Sequence, residues 1–244
     1  MIAAVSSDHP FPAAPGWLID ELSCAGRENL DAGHVARYDA KEDASAASEV
    51  ALLENVGLTR DSLVLEFGAG TGQFSVKAAA ACRRVIAVDV SDPMLDRLQA
   101  KVADAGVDNV EVSQAGFLTY EHVGDPADII YSRYALHHLP DFWKAVALDR
   151  LRQMIRPGGI FRLWDVVYDF ASREAGDRIE AWCATGGDTV EAEWSRAELE
   201  EHVRDEHSTF AWLLEPMILR SSFEIVNAEH SEDGIFAKYL LRAI

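Results

Sequence analysis

Val64-Leu65-Glu66-Phe67-Gly68-Ala69-Gly70-Thr71-Gly72 joins an apolar run to a glycine-rich turn, and a helical pattern follows from Gly72 to Ala81. Glycine lets the backbone turn through left-handed conformations and lets a ligand approach it closely. The N-terminus of the helix that follows favours a negative group such as a carboxylate. Asp89 ends the next apolar run, at a place where an acidic side chain can accept hydrogen bonds from both hydroxyls of an adenosine ribose. The glycines taken alone could be an ordinary tight turn and Asp89 an exposed strand-end carboxylate; together, in this order, they are more specific than either part.

Outward from this stretch, short apolar runs alternate with longer amphipathic ones, the pattern of parallel βαβ units. Strands are expected near Leu63 to Phe67, Val85 to Asp89, Val110 to Ser113, Ala127 to Tyr131 and Gly159 to Trp164. Helices are expected over Gly72 to Ala81, Pro93 to Ala103 and Phe142 to Ile155, the last stopped by Pro157-Gly158-Gly159. Phe223 to His230 and Ile235 to Arg242 read as two closing strands, joined by Glu232-Asp233-Gly234 and antiparallel to each other. The sum is an α/β fold, a doubly wound, mostly parallel seven-stranded sheet with an antiparallel last strand.

Residues 1–60 read as an N-terminal helical cap, with helical spacing over Trp17 to Leu30 and Ala44 to Val56, and residues 61–244 as the main domain, the two forming one compact unit. A polar insertion, 169–193, leaves the end of the fifth strand with a helical segment around Arg173 to Cys183 and a hinge candidate at Gly186-Gly187. It reads as a lid over the site. Ser195-x-x-Glu198 then forms a capping box that starts another helix.

Composition narrows the partners. Asp and Glu number 41 against 22 Lys and Arg, a net charge of -19, so the surface repels phosphate backbones and anionic membranes. Neither nucleic acid nor a membrane is the expected partner. The first fifteen residues carry no Lys or Arg and no sustained apolar core, which leaves the cytoplasm as the simplest compartment. Cys24, Cys82 and Cys183 are scattered without CxxC spacing and read as reduced structural thiols.

With these readings in place, the chain resembles the class I S-adenosylmethionine-dependent methyltransferases, in particular the branch with a Leu-His-His-Leu segment and a later Pro-Gly-Gly. The matching pieces are Glu66-Phe67-Gly68-Ala69-Gly70-Thr71-Gly72, Val88-Asp89-Val90-Ser91-Asp92-Pro93-Met94-Leu95, Leu136-His137-His138-Leu139 and Arg156-Pro157-Gly158-Gly159, in family order, with Tyr38-Asp39 before them. The resemblance implies a Rossmann-like sheet that binds S-adenosylmethionine and releases S-adenosylhomocysteine. It places Gly68, Gly70 and Gly72, with Glu66 and Ala69 of the same stretch, along the methionine part. Asp89 and Val90 fall at the ribose, Met94 beside the adenine, and Ala115, Gly116 and Phe117 at the adenine amine. Ser132 and Arg133, after the fourth strand, face the methionine and the reacting methyl, and Tyr38 belongs to the same cofactor set. Family members often carry an Asp where this chain has Gly116, so the side-chain contact to the amine is missing and backbone contacts or stacking on Phe117 are left to replace it.

A sulfonium already activates its methyl, so orientation and exclusion of water are the main tasks, and no metal is required. Aromatic faces at Tyr38 or Trp164 could stabilise the sulfonium. An acceptor that must lose a proton needs a base, for which His137 and Asp165 are the catalytic candidates. The adjacent His137 and His138 cannot share a metal as an i,i+4 pair would, and no metal site is expected. A nicotinamide-dependent oxidoreductase is the first rival, but its third glycine would stand at position 73, which is Gln73. A non-catalytic adenosine-binding protein is the second. The Asn/Asp-Pro-Pro-Tyr/Phe signature of methylation at DNA bases or protein glutamine is absent where the fourth strand runs into Ser132-Arg133-Tyr134-Ala135, which with the acidic charge favours a small-molecule acceptor.

Overall fold

The computed structural model describes residues 15–26, 45–187 and 194–244. Its elements in chain order are α1 (Glu21–Cys24), α2 (Ser45–Val56), β1 (Leu63–Phe67), α3 (Gln73–Ala79), β2 (Arg84–Asp89), α4 (Asp92–Ala105), β3 (Val110–Gln114) and β4 (Ala127–Arg133). There follow α5 (Asp141–Met154), β5 (Ile155–Tyr168), α6 (Ala175–Cys183), α7 (Arg196–Asp205), β6 (Thr209–Phe210), α8 (Ala211–Arg220), β7 (Phe223–His230) and β8 (Phe236–Ala243). The main sheet runs β3-β2-β1-β4-β5-β8-β7. β3, β2, β1, β4 and β5 are parallel, and β8 is antiparallel to both neighbours.

The central strands are apolar on both sides because both faces of the sheet are covered. Leu63, Leu65 and Phe67 of β1 enter one core with Leu148, Leu151 and Ile218, whereas Val64 between them enters another with Leu53, Phe74 and Ala78. Local signals set the helix starts. Gly72 caps α3 with φ 80, and Ser91 caps α4 through a hydrogen bond from the Met94 N–H, with Gly106 closing that helix in the left-handed region. α2 is tied to β5 by a buried bidentate pair, Arg162 Nε and Nη2 to Glu49 at 2.7 and 3.0 Å.

Three expectations need adjustment. The helix predicted over Trp17 to Leu30 is helical only over Glu21–Cys24 among the described residues, ending where Ala25 turns extended. Pro157-Gly158-Gly159 does not stop α5: Met154 is its last residue, Ile155 already pairs with Ala127, and the Pro-Gly-Gly segment bulges out before Ile160 pairs with Ile129. β6, a two-residue strand beside the end of β5, was too short to leave a periodic signal. Tyr38 and residues 188–193 of the expected lid lie outside the described residues. Among the described residues no helix is long and apolar enough to cross a membrane.

Candidate active site

In an open parallel sheet, ligands bind where the strand order reverses, outside the carboxyl ends of the strands. Here the reversal lies between β1 and β4. A cleft opens at that edge, and Gly68, Gly70, Asp89, Val90, Met94, Ala115, Gly116, Phe117 and Arg133, nine of the residues singled out by sequence, line it. Glu66, Ala69, Gly72 and Ser132 do not. Glu66 is buried and accepts a hydrogen bond from Ser75, Ala69 packs against Leu95 and Leu98, and Ser132 is buried within β4.

The three turn glycines divide the work. A Cβ at Gly68 would meet Ala135 at 2.2 Å and one at Gly72 would meet Leu98 at 2.6 Å, so these two let the turn pack against its neighbours. Gly70 has φ 51 and open space where a side chain would be, and lines the cleft. The Asp89 carboxylate accepts from the Gly70 N–H at 2.8 Å through Oδ2 and from the Ser91 N–H at 2.9 Å through Oδ1. Each oxygen keeps a further lone pair for a ligand hydroxyl. Burial raises the Asp89 pKa, against those same hydrogen bonds.

Glu21, on the N-terminal helix, was not singled out by sequence. Its carboxylate accepts from the Leu118 N–H at 3.0 Å and the Thr119 hydroxyl at 3.1 Å, and it lines the cleft. A Cβ placed on Gly116 would fall 2.3 Å from Glu21 Oε1. Thus an acid reaches the position left vacant by Gly116, from a different element. Burial raises the Glu21 pKa against these bonds. No motif could show this, because the two residues are far apart in sequence.

A second cavity, about 460 Å³, adjoins the first and shares Tyr134 and His138 with it. Trp182, Thr185 and Gly186 from the insertion form part of its wall, and Glu198, Glu201 and His202 of α7 another part. The Ser195 capping box starts α7, with the Ser195 N–H donating to Glu198 at 2.7 Å. Gly186 lies so close to Arg196 that a Cβ would stand 2.5 Å from its backbone nitrogen, which pins the base of the insertion to α7. Tyr134 has φ 50, rare for a residue with a side chain, and its N–H donates to Trp164 O at 2.9 Å. Trp164 itself lines neither cavity; the Arg133 guanidinium lies 4.1 Å from its ring centroid and Lys238 Nζ 3.6 Å.

The two catalytic candidates meet. His137 Nδ1 lies 2.5 Å from Asp165 Oδ1, and the His137 backbone N–H donates to Asp165 Oδ2 at 3.0 Å. His137 Nε2 faces Glu206 Oε2 at 2.8 Å, and His202 Nδ1 stands 2.6 Å from the same oxygen. Burial works against a charge on His137, but Asp165 and Glu206 override it and raise its pKa to about 9. Burial, then the charge on His137, lowers His138 to about 3. His137 and His138 thus occupy one wall of the second cavity, with Asp165 behind. His202 and Glu206 lie outside every motif that sequence reading recognised; the His202-x-x-x-Glu206 spacing, which puts two side chains on one helix face, was the available signal.

Comparison with known proteins bears on the fold and the family. Residues 64–159 match the family model described as a methyltransferase domain. An uncharacterised methyltransferase of Bacillus cereus is 31% identical over 176 residues, covering 71% of this chain and 75% of the relative. One from Anoxybacillus flavithermus is 29% identical over 174 residues, with the same two coverages. Others match over less of their own length, 65% and 48% for two Geobacillus proteins. Among solved structures, the N-methyltransferase NodS of Bradyrhizobium japonicum, in complex with S-adenosylhomocysteine, superposes with a TM-score of 0.60 at 16% identity, covering 89% of this chain and 95% of that one.

Proposed function

We infer, for a chain that belongs to the class I S-adenosylmethionine-dependent methyltransferases, that the methyl acceptor is a small molecule, neutral or cationic, held in the second cavity. One observation carries this reading: a cavity of about 460 Å³ opens beside the cofactor cleft and shares Tyr134 and His138 with it. That volume suits a metabolite-sized ligand. Its wall combines the aromatics Tyr134, Trp182, Trp194 and Phe236 with carboxylates, and no Lys or Arg of the described residues lines it. An acceptor bearing phosphate or carboxylate would meet like charge there.

S-adenosylmethionine bound in the cleft supplies a methyl group already activated by its sulfonium. In this reading the Asp89 carboxylate accepts from the ribose hydroxyls, and Gly70 admits the methionine part close to the backbone. Glu21 takes the place at the adenine amine that an acidic residue at position 116 holds in many family members. Tyr134 and His138 sit between the two ligands and set their relative orientation, which is the main requirement of in-line displacement. Asp165 fixes the His137 ring, so the pair shapes the cavity wall. The described part of the insertion excludes water from one side.

The test is transfer of labelled methyl from S-adenosylmethionine to a panel of small neutral, cationic and anionic metabolites, with duplex DNA, RNA and a protein mixture as controls. Turnover confined to neutral or cationic small molecules is expected. Turnover of a macromolecule with none of the panel methylated would overturn the acceptor assignment.

A further inference from the structure

We propose that His137, His202 and Glu206 bind a first-row divalent transition metal ion such as Zn2+, with Asp165 orienting His137 from behind. This goes beyond methyl transfer, which needs no metal for its leaving group. Three ligand-type atoms, one from each residue, lie within 4.8 Å of one another. Two imidazoles and a carboxylate form the donor set that borderline divalent ions take, and three protein ligands leave positions open for exchangeable ones.

The surroundings are built as a metal site is built. Ligating histidines almost always donate their other ring N–H to a carboxylate, a backbone carbonyl or a water. His137 holds Nδ1 against Asp165 Oδ1 at 2.5 Å while Nε2 lies 2.8 Å from Glu206 Oε2, and His202 holds Nε2 against Ser208 Oγ at 2.8 Å while Nδ1 lies 2.6 Å from the same oxygen. Each ring thereby has one nitrogen held from behind and the other beside the same Glu206 oxygen. Yet Glu206 Oε2, buried and approached by both nitrogens, accepts no hydrogen bond of normal geometry, and His138 Nδ1, 3.7 Å from it, is likewise a buried atom without a hydrogen-bond partner. Buried polar atoms that converge in this way call for a bound water or ion among them, and the two-imidazole, one-carboxylate donor set favours the ion.

The backbone holds the cluster together. His202 and Glu206 are one helical turn apart at the end of α7, and the His207 N–H donates to His137 O at 3.1 Å, joining that end to the turn that carries the Leu-His-His-Leu motif. His137, His202 and Glu206 all line the second cavity. The open positions of the ion therefore face the cavity and suit an oxygen or nitrogen donor on a ligand there. That last step rests on the cavity being the acceptor site; metal binding itself does not.

The experiment uses the full chain, stripped with a chelator and dialysed against Zn2+, with retained zinc measured by elemental analysis and affinity by calorimetry. One equivalent per chain is expected. His202→Gln and Glu206→Gln should each lose at least about tenfold in affinity, and Asp165→Asn about 10- to 100-fold, the usual range for a partner behind a ligating histidine. S-adenosylhomocysteine affinity and circular dichroism report on folding separately, since His202 lies outside the cofactor cleft. Zinc retention in the unmodified protein no greater than in a folded His202→Gln variant would overturn the proposal. So would tight zinc binding indifferent to both His202→Gln and Asp165→Asn. Neither result would touch the methyltransferase reading, which fails instead if S-adenosylhomocysteine does not bind.

Discussion

At Gly116 the absence of a side chain is matched by the presence of another: the space a Cβ would enter is filled by the Glu21 carboxylate, 2.3 Å away. If Glu21 supplies the acceptor for the adenine amine, Glu21→Ala should weaken S-adenosylhomocysteine binding by about 1.5–3 kcal/mol, the scale of a hydrogen bond to a charged group. The double variant Glu21→Ala, Gly116→Asp should recover much of it, because removing Glu21 clears the room that an Asp needs. Calorimetry on the three proteins decides, and equal affinities throughout would return the contact to backbone or to Phe117. Asp89→Ala should cost a similar amount, and the fold should survive, since the carboxylate takes its bonds from backbone N–H groups of two cleft-side turns, among them Gly70 after β1 and Ser91 after β2. The Asp89 loss read by titration should leave NAD without measurable binding in either protein. The motif residues of this cleft were legible in sequence because glycine conformation and strand-end acidity are local properties. Glu21 was not, since its role depends on a helix packing across a large gap in the chain.

Among the elements, those with a strong period were read nearly to their ends: β1 and β7 match, and β2, β3 and α4 differ by a residue or two. The failures have physical causes. A two-residue strand has no period, and Pro157-Gly158-Gly159 marks a bulge that resembles a helix stop from sequence alone. α7 was foreseen from its cap, yet its cavity-facing side was not, because His202 and Glu206 sit among the charges of an otherwise polar helix. The join between the N-terminal cap and the sheet can be tested at Glu49 and Arg162, both buried, at 4% and 2% exposure. Removing one member of a buried ion pair leaves the other uncompensated, at a cost of about 3–5 kcal/mol. Glu49→Ala should therefore lower stability by about that amount in urea denaturation, and α2 and the sheet should still unfold in one transition. A change below about 1 kcal/mol, the range of an exposed pair, would mean that α2 is a loosely attached cap.

Taken as a whole, the molecule carries one sign of charge from its surface into its cavity. The net charge is -19, and the second cavity has Glu198, Glu201, Glu206 and Asp233 in its wall. A field of that sign repels polyanions at long range, where salt screens it, and acts at short range inside the cavity, where screening is weaker. Duplex DNA should therefore show no retention of the protein even at about 50 mM salt, a condition that favours counterion-driven binding. The cavity makes the sharper prediction. Glu201→Lys reverses one wall charge, at a residue outside the cofactor cleft and outside the proposed metal ligands. It should raise KM for a cationic acceptor several-fold, lower it for an anionic analogue, and leave KM for S-adenosylmethionine unchanged. Steady-state kinetics with a matched pair of acceptors, differing only in charge, measures all three. If the substitution leaves the ratio of the two acceptor KM values where it was, the acceptor does not lie against this wall, and the cavity beside the cofactor serves another ligand.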